Sequence, residues 1–169
     1  LPRAEYKSWY LHAGPSGSLT SINDGGLSPE APSREDSTTS YTYPDWKWKM
    51  GVIASDPEGR PDPIRRVLTF TSAPLDDDLE VTGPIVLELY ASSDQIDTQF
   101  IVKLADQLPQ GAEARAKNIQ PASVNVSKGW LKASHREKDE ARSTPYRPFY
   151  THANPVAIEP GRVYRFDIE

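Results

Sequence analysis

The clearest pattern in the sequence is an alternation of hydrophobic and polar positions in its second half. Alternating segments span residues 85–91, residues 98–105 and Arg162–Glu169. Side chains two residues apart share one face of a strand, so each segment predicts a strand with one buried face. The predicted inward residues are Ile85, Leu87, Leu89, Ala91, Phe100, Val102, Leu104, Tyr164, Phe166 and Ile168. The predicted outward residues include Glu88, Tyr90, Lys103, Arg165, Asp167 and Glu169.

Weaker signals add strands around this pattern, and most of the rest is typical of loops. Four segments favour strand: Lys7–His12, Thr38–Tyr43, Val67–Thr71 and Ser127–His135. Residues 21–40 and 44–63 are rich in proline and small polar residues, which predicts long loops. Only residues 110–118 and 134–142 suggest helix. The pattern therefore predicts an all-β protein, an antiparallel sandwich with long irregular loops.

Composition narrows the function classes. The chain has 169 residues, 16 prolines, no cysteine and a formal net charge of −5. The proline count disfavours long helices, and the negative charge disfavours nucleic acid as a partner. Without cysteine there is no disulfide, no zinc–thiolate site and no thiol nucleophile. No apolar run approaches the length that spans a bilayer, so no membrane partner is predicted.

An acidic run, Asp76-Asp77-Asp78, is the most conspicuous candidate for a metal site. Calcium loops usually space their carboxylate ligands at alternate positions around a glycine. Consecutive side chains on an extended segment diverge instead. We therefore interpret the run as a solvated connection between two strands, and we predict no bound metal and no cofactor.

Catalytic groups are equally hard to find. The nearest approach to a nucleophile elbow is Gly14-Pro15-Ser16-Gly17-Ser18, which departs from G-x-S-x-G and has no helix pattern after it. It predicts a turn. The histidines, His12, His135 and His152, lack metal-ligand spacing, and we expect them at the surface or at strand ends. A triad assembled in space from scattered residues remains open, but no catalytic residue is predicted.

Two further motifs have alternative readings. Trp46, Trp48 and Met50 put three large apolar side chains in a polar loop, where they either pack onto a neighbouring surface or line a ligand pocket. Packing is the preferred interpretation. Asn125-Val126-Ser127 fits the glycosylation acceptor pattern, which is common by chance and requires a secreted protein.

Several ordered segments resemble the C-terminal domain of X-Pro dipeptidyl-peptidases and cocaine-esterase-like hydrolases, the CocE/NonD type. The resemblance is good over about residues 60–169 and loose over residues 1–60. It is carried by Val67–Leu75, Asp78–Pro84, Leu87–Asp94, Asp97–Phe100, Lys103–Asp106, Gly129–Arg136, Pro160–Tyr164 and Asp167-Ile168.

This resemblance implies a jelly-roll sandwich of the galactose-binding-like kind. It implies entry strand and loops over residues 1–60, and the main sandwich over residues 61–169. In such enzymes the catalytic triad lies in a preceding α/β-hydrolase domain, so this chain is expected to be a non-catalytic part of a larger serine hydrolase. Small ester or peptide substrates would be met only through that domain. The final predicted strand runs to the last residue, which also suggests one domain of a larger chain.

The resemblance also gives Trp46, Trp48 and Met50 a hypothetical role. Relatives use loops at this point to approach the catalytic domain, so we expect at least one tryptophan to contact that domain or wall its pocket. Alternatives from other classes are a carbohydrate-binding jelly-roll module and a purely structural domain. We expect the parent enzyme in the cytoplasm.

Overall fold

The computed structural model describes residues 5–33, 38–42, 67–117 and 119–169. Within these ranges most residues with regular secondary structure are in strands, and few are in helices. The elements are β1 (Tyr10–Pro15), β2 (Gly25–Ser28), β3 (Phe70–Thr71), β4 (Leu87–Ala91), β5 (Gln99–Gln107), α1 (Ala112–Ala116), β6 (Ser123–Lys132), a 3-10 turn (Ala133–His135) and β7 (Tyr164–Ile168). The all-β prediction is confirmed.

The chain divides into two compact units. The first comprises Thr82–Leu108 and Ala122–Glu169, and the second comprises Pro2–Val81 and Pro109–Pro121. The jelly-roll connectivity stays a prediction, because the described strands form three separate small sheets. The division at residue 60 also stays a prediction, since that position lies outside the described residues.

The first unit consists of two antiparallel strand pairs. β4 pairs with β7 from Leu87 opposite Ile168 to Ala91 opposite Tyr164. β5 pairs with β6 along its whole length, with a register shift after Leu104. The exposed and shielded positions alternate along β4 and most of β5, as the period-two pattern predicts.

The core of this unit lies between the two strand pairs. The Phe100 ring of β5 meets the Phe166 ring of β7 with centroids 4.8 Å apart. The fully shielded residues are Leu131, Ala133, Ile158, Phe166 and Ile168, with Leu87, Leu89, Ala91, Val102, Tyr150 and Tyr164 packed around them. Burying a side chain of this size contributes about 1.5–3 kcal/mol, so the contact between the two strand pairs stabilises the unit.

The stretch Gly129–Arg136 serves this core at alternate positions. Gly129 is buried where a Cβ atom would collide with the backbone of Glu169. Leu131 and Ala133 are core residues. Arg136 then closes the segment: its guanidinium donates to the Ala133 carbonyl at 3.1 Å and lies 4.8 Å from the centre of the Tyr164 ring. The stretch that carries the family resemblance therefore has a packing role.

The second unit contains a three-stranded sheet in the order β1-β2-β3. β1 and β2 are antiparallel, and β2 and β3 are parallel. Gly25, the first residue of β2, must be a glycine because it lies close to both neighbouring strands. A Cβ atom there would lie 2.5 Å from Cδ1 of Phe70 in β3 and 2.7 Å from the His12 carbonyl oxygen in β1. Helix α1 also belongs to this unit, within the predicted 110–118 segment.

Several sequence predictions differ from the structure in their extent. The first strand begins at Tyr10 and continues to Pro15, later than Lys7–His12. The predicted loop over residues 21–40 contains β2, whose Gly-rich sequence carries no strand signal. Residues 38–42 form no strand. The helix predicted over residues 134–142 is absent. Only residues 134 and 135 are helical, as part of the 3-10 turn, because the segment that follows folds over β7.

One outward assignment was wrong. Asp167 was predicted to face solvent, but only 7 % of it is exposed. The segment from Lys138 to Tyr150 covers this part of β7: Lys138 Nζ lies 2.8 Å from the Asp167 carboxylate, and the Tyr150 hydroxyl donates to the Asp167 carbonyl. Arg165 Nε makes a second ion pair at 2.7 Å. Burial alone would raise the pKa of Asp167, but the hydrogen bonds and charges of Arg165 and Lys138 hold it below its ordinary value.

We predict that Gly129→Ala destabilises the chain by about 1–3 kcal/mol, because the added methyl group forces the backbone of Glu169 to move. Urea unfolding measures the change. Gly14→Ala is the matched control, since a Cβ atom on this strand glycine meets no other atom within 4 Å. Equal stability of the two variants would contradict the close approach.

We predict that Asp167→Asn lowers stability near neutral pH by about 1–3 kcal/mol. The folded pKa of Asp167 is depressed, so its contribution is present above the ordinary value of 3.8 and is lost as the pH falls through the folded pKa. The variant should therefore show a weaker loss of stability on acidification below pH 3.8. Asp106→Asn, at an exposed position of β5, is the control. Identical acid unfolding curves for wild type and D167N would refute the assignment.

Candidate functional site

The Ser16 turn is held by local hydrogen bonds. The Ser16 hydroxyl donates to the Asp24 carboxylate at 2.7 Å, and the same carboxylate accepts the Gly17 amide at 2.9 Å. Gly17 has a positive φ of 71°, which favours glycine. The predicted turn is confirmed, although Gly14 and Pro15 belong to β1. Ser16 is thus engaged as a turn residue whose hydroxyl stabilises Asp24.

His12 has a similar structural setting in the second unit. Its Nε2 lies 3.1 Å from the Glu30 carbonyl and 3.1 Å from the Ser28 hydroxyl. A carbonyl only accepts, so the hydrogen bond to Glu30 requires the proton on Nε2. In that tautomer Nε2 cannot remove a proton from Ser28. The pair therefore fastens the end of β2 to β1 and does not form a nucleophile with its base.

The first unit brings His135 and His152 together, which the sequence did not predict. Their ring centroids are 5.5 Å apart, and the ring centroids of Tyr150 and His152 are 6.1 Å apart. They line a shallow cavity of about 300 Å³, here called the His-Tyr cavity, with Gln99, Trp130, Leu131 and Lys132. His135 Nδ1 is buried and has no hydrogen-bond partner among the described residues.

Asp97 fixes one wall of the His-Tyr cavity. Its carboxylate accepts the Ser134 amide at 2.9 Å and the Ser134 hydroxyl at 2.8 Å, and Lys132 Nζ lies 3.1 Å away. Burial would raise the pKa of Asp97, but the hydrogen bonds from Ser134 and Lys132 leave it below its ordinary value. Asp97 is therefore a charged anchor that positions the end of β6 and the Lys132 side chain.

Tyr150 forms another wall and is unsuited to proton transfer near neutral pH. Burial, followed by the negative charge of Asp167, raises the pKa of Tyr150 to about 12. Its hydroxyl donates to the Asp167 carbonyl. The phenol is thus a neutral donor whose hydroxyl is committed to the fold.

The outer face of the β5–β6 pair carries an unusual apolar pair beside the His-Tyr cavity. Ile101 and Trp130 lie directly opposite each other, and each is 72 % exposed. Three lysines flank them, Lys103 opposite Lys128 at one end and Lys132 at the other. This surface, with Gln99, is here called the Trp130 face; it comprises Gln99, Ile101, Lys103, Lys128, Trp130 and Lys132. Its chemistry is suited to contact and not to bond breaking.

Other predicted features have more limited outcomes. Trp46, Trp48 and Met50 lie outside the described residues, so their role stays a prediction. Asp76, Asp77 and Asp78 are exposed in the connection between β3 and β4, as predicted. Asn125 is exposed on β6, and its modification is untested.

The described residues offer neither a cluster of metal ligands nor a membrane-spanning helix. Residues 5–33, 38–42, 67–117 and 119–169 contain no group of three or more histidine and acidic side chains placed to hold a metal ion. Among the same residues, no helix has the length and apolar character needed to cross a membrane.

Comparison with known proteins gives a family for this arrangement. The whole chain, residues 1–169, matches the family model described as the X-Pro dipeptidyl-peptidase C-terminal non-catalytic domain. A Mycobacterium bovis protein whose name describes it as a serine esterase is 29 % identical over 184 residues, covering 99 % of this chain and 26 % of that protein. The cocaine esterase of a Rhodococcus species is 28 % identical over 179 residues, covering 100 % of this chain and 27 % of that enzyme.

These comparisons confirm the resemblance inferred from the sequence. No solved structure gave a significant match. The chain spans about a quarter of the length of the curated relatives it matches. Because the family model covers every residue, the chain belongs to the family of X-Pro dipeptidyl-peptidase C-terminal non-catalytic domains.

Proposed function

We propose that this chain is the C-terminal β domain of a CocE/NonD-type serine hydrolase and that it buttresses an α/β-hydrolase catalytic domain. The observation that carries the proposal is the match of residues 1–169 to a family that is described as a non-catalytic C-terminal domain. The local chemistry is consistent with it, since Ser16, His12 and Tyr150 are each committed to structural hydrogen bonds.

The proposed parent reaction is acyl transfer from an ester or amide to water. A catalytic serine, its base and an oxyanion hole would all belong to the preceding domain. The two relatives named as esterases support this class of substrate. The present chain would contribute by holding that domain in its active geometry and by walling one side of the substrate pocket. The cytoplasmic location expected from the sequence is part of the same proposal.

A carbohydrate-binding module is the second candidate. The exposed indole of Trp130 beside the polar His-Tyr cavity favours it, because sugars stack on such rings. Lys103 and Lys128 beside Trp130 weigh against it, since a neutral sugar offers no opposite charge to these two lysines. The hydrolase-domain proposal therefore has the stronger support.

The buttressing role predicts a loss of function when the domain is removed. In the full-length protein, deletion of the segment corresponding to residues 1–169 should lower kcat/KM for a p-nitrophenyl acyl ester about 10- to 100-fold, because the catalytic groups lose their positioning. Thermal unfolding of the catalytic domain should also shift downward. Unchanged activity and unchanged Tm after deletion would refute buttressing.

The isolated 169-residue chain is the matching control for this experiment. It should hydrolyse the ester no faster than the buffer. Turnover that a serine-directed inhibitor abolishes would show that the chain carries its own nucleophile, and this result would overturn the non-catalytic assignment.

The pocket-wall role predicts an effect on KM from Trp46 or Trp48. In the full-length enzyme, Trp46→Ala or Trp48→Ala should raise KM about 5- to 50-fold if the indole contacts bound substrate, with a smaller change in kcat. Trp9→Ala, at a partly exposed tryptophan before β1, is the matched control. If both variants keep the wild-type KM and the wild-type Tm, these residues neither wall the pocket nor dock the domains.

A further inference from the structure

The Trp130 face has two properties that are unfavourable in water, namely exposed apolar side chains and like charges placed opposite each other. Ile101 and Trp130 place two large apolar side chains side by side in water, each 72 % exposed. Apolar surface of this kind, when contiguous and rimmed by polar groups, is characteristic of contact sites. Tryptophan is also among the residues that contribute most to binding when a partner covers them.

The opposite outer face of the first unit provides an internal comparison. On the β4–β7 pair, Arg165 makes an ion pair with Glu88 at 2.9 Å, and the Tyr90 hydroxyl donates to Glu88 at 2.8 Å. Tyr90 is 63 % exposed, but its polar end is satisfied within the face. The polar groups of this face are therefore satisfied within the unit, including Asp167, which the segment from Lys138 to Tyr150 covers. The two outer faces of one unit thus differ in kind.

The charges of the Trp130 face indicate what kind of surface would cover it. Lys103 and Lys128 lie directly opposite each other, an arrangement that like charges disfavour. Neither lysine has an ion-pair partner among residues 5–33, 38–42, 67–117 and 119–169. The whole chain has a net charge of −5, so a cluster of lysines runs against its overall charge. A complementary surface has an apolar centre and carboxylates at its rim.

The occupant follows from the family and from the length of the relatives. The chain matches a domain described as non-catalytic and C-terminal, and it spans 26 % and 27 % of two relatives. Most of such a protein therefore lies outside the present chain and is available as an intramolecular partner. We propose that the Trp130 face is the surface on which the catalytic domain of the same protein docks, with an acidic rim around an apolar patch.

This inference rests on the proposed function, and oxidative footprinting tests it in the full-length protein. Brief hydroxyl-radical exposure modifies accessible tryptophan and tyrosine rings, and the urea-unfolded protein supplies the reference rate for each residue. Trp130 should react at least about fivefold more slowly in the native protein than in the unfolded one, because interface contacts exclude water. Tyr90 is the internal control and should react near its unfolded rate. A native Trp130 that reacts as fast as in urea overturns the proposal.

Variants test the apolar centre and the acidic rim separately. Trp130→Glu should make limited proteolysis between the domains about tenfold faster, whereas Tyr90→Ala should leave the rate unchanged within about twofold. Lys128→Glu should also accelerate cleavage, and added salt should reduce its effect because the repulsion is screened. Wild-type cleavage rates for both W130E and K128E would contradict docking at this face.

The remaining occupants give distinct results in the same assays. Protection of Trp130 that disappears on dilution would identify a second copy of the protein and overturn the intramolecular proposal. A reactive Trp130 that becomes protected only when an oligosaccharide is added would overturn it in favour of sugar binding. The footprinting and the deletion assay test different claims. If Trp130 is protected but deletion of the domain leaves activity unchanged, the buttressing role is wrong and docking at the Trp130 face still holds.

Discussion

The face-to-face contact between the β4–β7 pair and the β5–β6 pair is the interaction on which the first unit depends. Phe100 and Leu131 meet Phe166 and Ile168 there, and Gly129 allows the close approach of the C-terminal strand. Because strand side chains alternate, burying these residues forces Ile101 and Trp130 to the opposite face. The exposed apolar pair is thus a direct consequence of the register that builds the core.

Much of this core could be predicted from alternation alone. Leu87, Leu89, Phe100 and Phe166 lie inward as period two requires, since a one-residue slip would turn each strand over. Asp167 shows the limit of that argument. Alternation describes one strand in isolation, whereas the segment from Lys138 to Tyr150 covers the outer side of β7 and supplies a cation for the carboxylate. Long-range coverage of this kind has no local signature.

The candidate site was less predictable than the fold. His135 and His152 are separated by a segment that folds back, and only that return brings their rings within 5.5 Å. The sequence gives a partial signal for the exposure of Trp130. The neighbouring Gly129 and Leu131 suit a crowded inner face, so the residue between them points outward. The family resemblance supplied what residue chemistry alone did not, namely that catalytic groups belong to another domain. The polar groups described here anchor loops and strand ends, which agrees with the non-catalytic description of the family.

A crystal structure of the full-length protein would show how much area each outer face of the first unit loses on contact with the proposed catalytic domain. We expect Ile101 and Trp130 to be covered by an apolar patch with carboxylates near Lys103 and Lys128, while Glu88, Tyr90 and Arg165 remain in solvent. A structure in which Trp130 stays in solvent and the β4–β7 face is covered would contradict it.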